Sequence, residues 1–106
     1  MTNEDTKLLS TLGLCVKAGK VIFGVPMICD ALRKGGKNAP VIVVEAADNS
    51  ENTHKKITDK CNYYGVKLVT LTYSGEQLAA AVGKGAHIGA IAVTDRGLCQ
   101  LIEKYI

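Results

Sequence analysis

The stretch AGKVIFGVPMICDALRKGG, Ala18 to Gly36, reads as a strand, a turn and a helix in immediate succession. Gly19 is placed to end a preceding helix in the left-handed conformation. Val21–Phe23 is a short apolar run of strand type. Gly24 permits a tight turn, and Pro26 suits the first turn of a helix, where its missing N–H costs little. Val25, Ile28, Ala31 and Leu32 then fall on one helical stripe, with Cys29, Asp30, Arg33 and Lys34 off it. Gly35 and Gly36 stop the helix. From Lys17 to Lys37, five cations (Lys17, Lys20, Arg33, Lys34, Lys37) and one acid, Asp30, sum to +4 in a chain of net charge +3. Such charge beside a helix N-terminus suggests nucleic acid as partner, against the alternative of a solvated basic face.

Outward from this unit, the periodicity alternates. Asn3 can cap a first helix whose stripe is Leu8, Leu9, Leu12, Cys15 and Val16. Val41–Val44 is a continuous β-branched run, the pattern of an inner strand covered on both faces. Glu45 to Asn49 reads as loop, and Asn49 or Ser50 caps a third helix with stripe His54, Ile57, Cys61 and Tyr64, stopped at Gly65. Val66–Thr72 is β-rich. Ser74 and Gln77 have capping-box spacing and open a fourth helix, with Leu78, Ala81 and Val82 inward and Gly83 at its end. The loop Gly83–Gly89 leads into a last strand, Ala90–Val93. Thr94 caps a final helix on the stripe Leu98, Leu101, Ile102 and Tyr105. This order predicts an α/β fold: a single domain over residues 1–106, a three-layer α/β/α sandwich on a mixed four-stranded sheet.

At 106 residues, 47% hydrophobic and 22% charged, the chain is expected to bury a core without staples. Its longest strongly apolar run, Val41–Val44, is too short for a membrane span, so no membrane partner is expected. The polar, acidic start MTNEDTK is unlike a signal peptide, and a cytoplasmic monomer is the expectation. Cys15, Cys29, Cys61 and Cys99 show no CxxC spacing, so reduced, buried thiols are expected and no metal.

Catalytic patterns are refused one by one. Gly19 and Gly24 have the outer spacing of a phosphate loop, but Val25-Pro26 follows where Lys-Ser/Thr is needed. No G-x-G-x-x-G follows a predicted strand. His54 and Cys61 stand two turns apart on one helix, roughly 10 Å along its axis, beyond a direct hydrogen bond. No enzyme activity and no cofactor are expected.

Binding is better served. The Gly24 turn, the basic helix end at Arg33 and Lys34, and the Gly83–Gly89 loop can lie at neighbouring corners of such a sandwich. Ile88 either projects from that loop toward unstacked bases or packs inward as the start of the strand.

The segments GKVIFG (Gly19–Gly24), ALRKG (Ala31–Gly35), VIVVEAAD (Val41–Asp48), KCNYYGV (Lys60–Val66), SGEQLAAAVGK (Ser74–Lys84) and IAVTD (Ile91–Asp95) occur in this order. Together they resemble the ribosomal protein L-seven-Ae and L-thirty-e superfamily, and within it the small bacterial YlxQ-like group. The resemblance covers nearly the whole chain. It implies an α/β/α sandwich that binds RNA, often a kink-turn, in ribosomal or translation-associated settings where ribosomal or translation-factor proteins are further partners. It also implies contacts through the turn after the first strand, the following helix and the loop before the last strand. Residue by residue this marks Lys20, Gly24, Val25, Pro26, Met27, Arg33, Lys34, Lys84, His87 and Ile88 as the RNA-binding set. Val25, Pro26 and Met27 stand where the family has Thr, Asn and Glu, and Asp30 stands where it has Lys. Pro26 and Met27 cannot hydrogen-bond guanine edges, whereas phosphate contacts through Lys20, Arg33, Lys34 and Lys84 are unaffected. The alternative function is a protein-interaction adaptor that uses Val25, Pro26 and Met27 as an apolar patch.

Overall fold

The computed structural model describes residues 3–106, with side chains from residue 6 onward, so the side-chain cap expected of Asn3 lies outside the described side chains. Nine elements follow in order: α1 (Asn3–Lys17), β1 (Val21–Phe23), α2 (Val25–Lys34), β2 (Ile42–Glu45), α3 (Glu51–Tyr64), β3 (Lys67–Thr70), α4 (Gly75–Ala81), β4 (Ala90–Val93) and α5 (Arg96–Glu103). The sheet order is β1-β4-β2-β3. β2 and β3 run parallel, and β4 runs antiparallel to both β1 and β2. The sheet is therefore mixed, as expected.

Alternation along the inner strands builds the three layers. Ile42 and Val44 of β2, with Ile91 and Val93 of β4, face α1, α4 and α5 and meet Leu12, Leu78 and Ile102. Val43, Ala90 and Ala92 face the other way, under Ile28 and Leu32 of α2 and Ile57 of α3. All four residues of β2 and of β4 are buried, which explains why every one of them except Glu45 is apolar. Each large aliphatic side chain so buried contributes roughly 1.5–3 kcal/mol relative to exposure.

Several local expectations need correction. β2 runs one residue later than read, because Glu45 pairs with Thr70 and Ala90 as the last residue of the strand. β3 is shorter, Lys67–Thr70, since an edge strand ends where its single neighbour ends. α5 is capped by Asp95 and not by Thr94: Leu98 N–H donates to Asp95 Oδ2 at 2.9 Å. The Thr94 amide is instead spent on the Lys20 carbonyl at 3.0 Å. Cys29 belongs to the buried face of α2, Ala79 replaces Ala81 as the inward alanine of α4, and Leu101 is exposed at the rim of α5. His54 also lies off the core. The misses at Cys29, Ala81, Leu101 and His54 share one cause: a 3.6-residue stripe has soft edges, and the neighbouring layer decides which flank it covers.

Other local readings match. The capping box has both bonds, Gln77 N–H to Ser74 Oγ at 3.1 Å and Ser74 N–H to Gln77 Oε1 at 2.9 Å. Ser50, not Asn49, caps α3 through the Thr53 amide at 3.2 Å. All four cysteines are free and buried.

Candidate nucleic-acid interface

The strand directions bring four connections to one edge of the sheet. β1, β2 and β3 end there, and β4 begins there. Gly24 makes the turn out of β1 at φ 88°, ψ 140°, a conformation that glycine alone adopts without strain. Its N–H donates to Ala90 O at 3.0 Å, and its carbonyl accepts from Ile28 N–H at 3.0 Å, so one residue ties β4 to the start of α2. Pro26 sits in the first turn of α2 and removes one exposed amide.

The Gly83–Gly89 loop is tied down at three places along this edge. Ile88 N–H donates to Gly75 O at 3.0 Å. Gly89 O accepts from Asn49 Nδ2 at 2.9 Å and from Ala46 N–H at 2.8 Å. A Cβ on Gly89 would stand 2.8 Å from Asn49 Oδ1, so this approach depends on glycine. Asp48 Oδ1 accepts the Gly75 amide at 2.8 Å and lies 3.5 Å from His87 Nε2. The bond from the Gly75 amide, with a smaller contribution from His87, holds the Asp48 carboxyl below its ordinary value of 3.8. The His87 ring packs directly on the Cα of Gly75, where any Cβ would collide with it.

Behind this loop lies a buried carboxylate. Glu45, fully buried at the end of β2, accepts from Thr70 Oγ1 at 2.6 Å and lies 2.6 Å from His54 Nδ1. Asn49 Nδ2 approaches its second oxygen at 3.4 Å. Glu45, Asp48, Asn49 and His54 are the residues that sequence reasoning missed as parts of this edge. The signal available was a glutamate closing an apolar run in VIVVEAAD, a place where an unpaired charge would be costly.

The sequence-marked set does not gather on one face. Gly24, Pro26, Met27, Lys84 and His87 lie at this edge, with Pro26 and Met27 in solvent. Met27 is 60% exposed. Lys84 Nζ stands 4.8 Å from the centroid of the Phe23 ring, a cation–π contact beside the turn. Val25 and Ile88 are corrections to the RNA-binding set: Val25 is buried at 7% exposure, in keeping with its place on the helical stripe, and Ile88 at 8%, the inward of its two readings, so neither projects toward a ligand. Lys20, Arg33 and Lys34 lie toward the opposite edge, since α2 runs roughly 15 Å back along the sheet from Gly24. Asp30 holds Arg33 at 2.5 Å and Lys34 at 3.1 Å. Those two partners, Lys34 first, keep its carboxyl below the ordinary range.

A sequence profile of the ribosomal protein L7Ae/L30e/S12e/Gadd45 family matches residues 6–102. The chain belongs to that family. As an L7Ae-type chain it is 38% identical over 89 residues to "RNA-binding protein YlxQ" of Bacillus subtilis (strain 168), covering 84% of each chain. It is 31% identical over 100 residues to "RNA-binding protein YlxQ" of Enterococcus faecium, covering 94% of this chain and 91% of that one. Among solved structures, a protein of unknown function from Bacillus halodurans C superposes with a TM-score of 0.79 at 29% identity, over 92% of this chain and 98% of that one. The Giardia lamblia 15.5kD RNA binding protein superposes with a TM-score of 0.76 at 15% identity, over 99% and 86%, a likeness of fold. In this L7Ae-type chain, among the described residues, no group of three or more His, Cys, Asp or Glu side chains is placed to hold a metal ion. No described helix is long and apolar enough to cross a membrane.

Proposed function

We propose that this protein is a non-catalytic binder of structured RNA. Its binding face is the edge formed by the Gly24 turn, the start of α2 and the Gly83–Gly89 loop, and its target is of the kink-turn class. One observation carries the reading: Gly24 N–H bonds Ala90 O at 3.0 Å while Asn49 holds Gly89 at 2.9 Å. The turn and the loop are therefore preorganised against each other before any ligand arrives, which lowers the ordering cost of binding. Membership of the family and the names of its relatives support RNA as the ligand. Lys84 supplies phosphate charge, and Pro26 and Met27 supply apolar contact where hydrogen bonding to bases is impossible. Recognition on this edge then rests on backbone shape more than on base edges. A cytoplasmic, translation-associated setting belongs to the same proposal.

The test is a titration of the protein against a kink-turn RNA and a duplex lacking its G·A pairs, at several salt concentrations. Preference for the kink-turn is expected, and Lys84→Ala should flatten the log-log salt slope by about 0.7–0.9. Lys20→Ala, at the far edge, should leave that slope unchanged. Equal affinity for both RNAs would sink the kink-turn reading. The protein-adaptor reading is weakened by the burial of Val25, which leaves Pro26 and Met27 as the whole exposed patch.

A further inference from the structure

The face of α3 and the sheet edge opposite the Gly24 turn hold features that the proposed interface does not use. Lys56, Asp59, Lys60 and Tyr63 recur at helical spacing and line one open cavity of about 520 Å3, together with Tyr64. Tyr64 also lines a second cavity of about 710 Å3, between the C-terminal ends of α2 and α3. The two hollows are thus joined through one ring.

Their chemistry is consistent from end to end. The larger hollow is lined by Lys37 and Arg96 and by no carboxylate. Gly35, Gly36 and Gly65 leave its wall as bare backbone, with open space where their side chains would be. The ends of α2 and α3 turn carbonyls toward this edge and oppose an anion, and the two cations offset that field. Asp95, next to Arg96, is turned away to cap α5 through the Leu98 amide. Along the whole groove Lys37, Lys56, Lys60 and Arg96 stand against Asp59, and none of the four cations is ion-paired among the described residues. Tyr63 is 81% exposed, far more than an aromatic ring needs for packing. Its ring meets Tyr64 edge-to-face at 4.8 Å, and Tyr64 in turn packs on the core beneath α2 and α3. An aromatic platform held from below, flanked by unpaired cations, suits a strand whose bases are free to stack.

We propose that this groove binds a single-stranded RNA segment, with a base stacked on Tyr63 and phosphates held by Lys37 and Arg96. It would serve as a second contact surface, facing away from the structured-RNA edge. The proposal shares with that edge only the class of ligand.

A fluorescein-labelled ten-residue oligouridylate is the probe, titrated on wild-type protein and variants. Tyr63→Ala should weaken binding roughly 5- to 150-fold, the range for losing one stacked base. Tyr63→Phe should retain it. Lys37→Ala with Arg96→Ala should flatten the log-log salt slope by roughly 0.7 per lost phosphate contact. An abasic strand of the same length should bind wild type as weakly as oligouridylate binds Tyr63→Ala. Saturating kink-turn RNA should leave the labelled strand bound. The proposal is overturned if wild type does not bind the strand, if Tyr63→Ala binds like wild type, if Tyr63→Phe fails as badly as the alanine variant, or if kink-turn RNA displaces the probe. Kink-turn RNA that does not bind while oligouridylate binding stays intact would count against the edge reading alone and would leave this one standing.

Discussion

Glu45 Oε1 lies 2.6 Å from His54 Nδ1, joining the fully buried end of β2 to an imidazole whose side chain is 51% exposed near the start of α3. The ring bridges core and solvent directly behind the Asn49–Gly89 contact. With its proton on Nδ1, the ring offers a donor to a carboxylate that is itself shut off from water. Thr70, the register partner of Glu45 on β3, supplies a second.

This pair should be coupled energetically. Glu45→Gln keeps the volume but gives up hydrogen bonds to a charged acceptor, at a cost of about 1.5–3 kcal/mol. His54→Ala leaves the buried carboxylate with one donor fewer and should also destabilise. Urea unfolding of both single variants and the double variant at neutral pH measures the interaction. The double variant should lose less than the sum, by about 0.5–3 kcal/mol. Strict additivity would mean that the contact does not contribute in solution.

Acid should loosen the Gly83–Gly89 loop through Asp48. Its carboxyl is held below its ordinary 3.8, chiefly by the Gly75 amide, so the folded state favours the ionised form. The sign follows: this contribution is present above the unfolded value and is lost as pH falls through the lower folded value. The Gly75 amide resonance should therefore titrate with a midpoint below 3.8 in the wild type. In Asp48→Asn that titration should vanish.

Restoring hydrogen-bonding side chains at the turn should sharpen RNA readout. Pro26→Asn and Met27→Glu together return a helix N-terminal amide and two groups able to reach guanine edges. Val25 is best left alone, because it packs against Ile28 and Leu32 in the core beneath α2. The double variant should tighten on a kink-turn by roughly 1–3 kcal/mol per recovered bidentate contact, with little change on a plain duplex. Paired titrations of both proteins on both RNAs at one salt decide it. No change in preference would mean that the turn does not face the RNA.

The thiols should be inert in the native protein. Burial pushes Cys61 and Cys99 up to about 11, and burial also raises Cys15. At pH 8 the thiolate fraction of Cys61 and Cys99 is then on the order of one in a thousand. Iodoacetamide should label the native protein slowly and the guanidinium-unfolded protein fast at all four sites. Chelator and reductant should leave the melting temperature unchanged. Rapid native labelling of Cys61 would contradict its burial.

Where local chemistry decides, the outcome can be read from neighbouring residues. The Ser74–Gln77 capping box and the Gly65 stop depend on contacts within a few residues, while the Gly24 turn and the apolar strands at Val43 and Ala92 show in their residue types although their partners lie far along the chain; each is legible in order along the chain. So was the layered α/β/α plan, because alternating periods of 3.6 and 2 leave few ways to bury every face. Which marked residues share a surface depends instead on how the strands and helices are laid against one another. Lys20 and Lys84 both belong to the basic, RNA-like signature, yet β1 and α2 leave Lys20, Arg33 and Lys34 at one edge, whereas the loop between α4 and β4 brings Lys84 to the other. Ile88 was ambiguous, since an apolar residue beside glycine reads the same whether it points out or in, and Val25 was claimed both by the helical stripe and by the family's turn. The Glu45–His54 contact was invisible for a related reason: a buried charge finds its partner across strands and helices, and no spacing in the chain encodes that meeting.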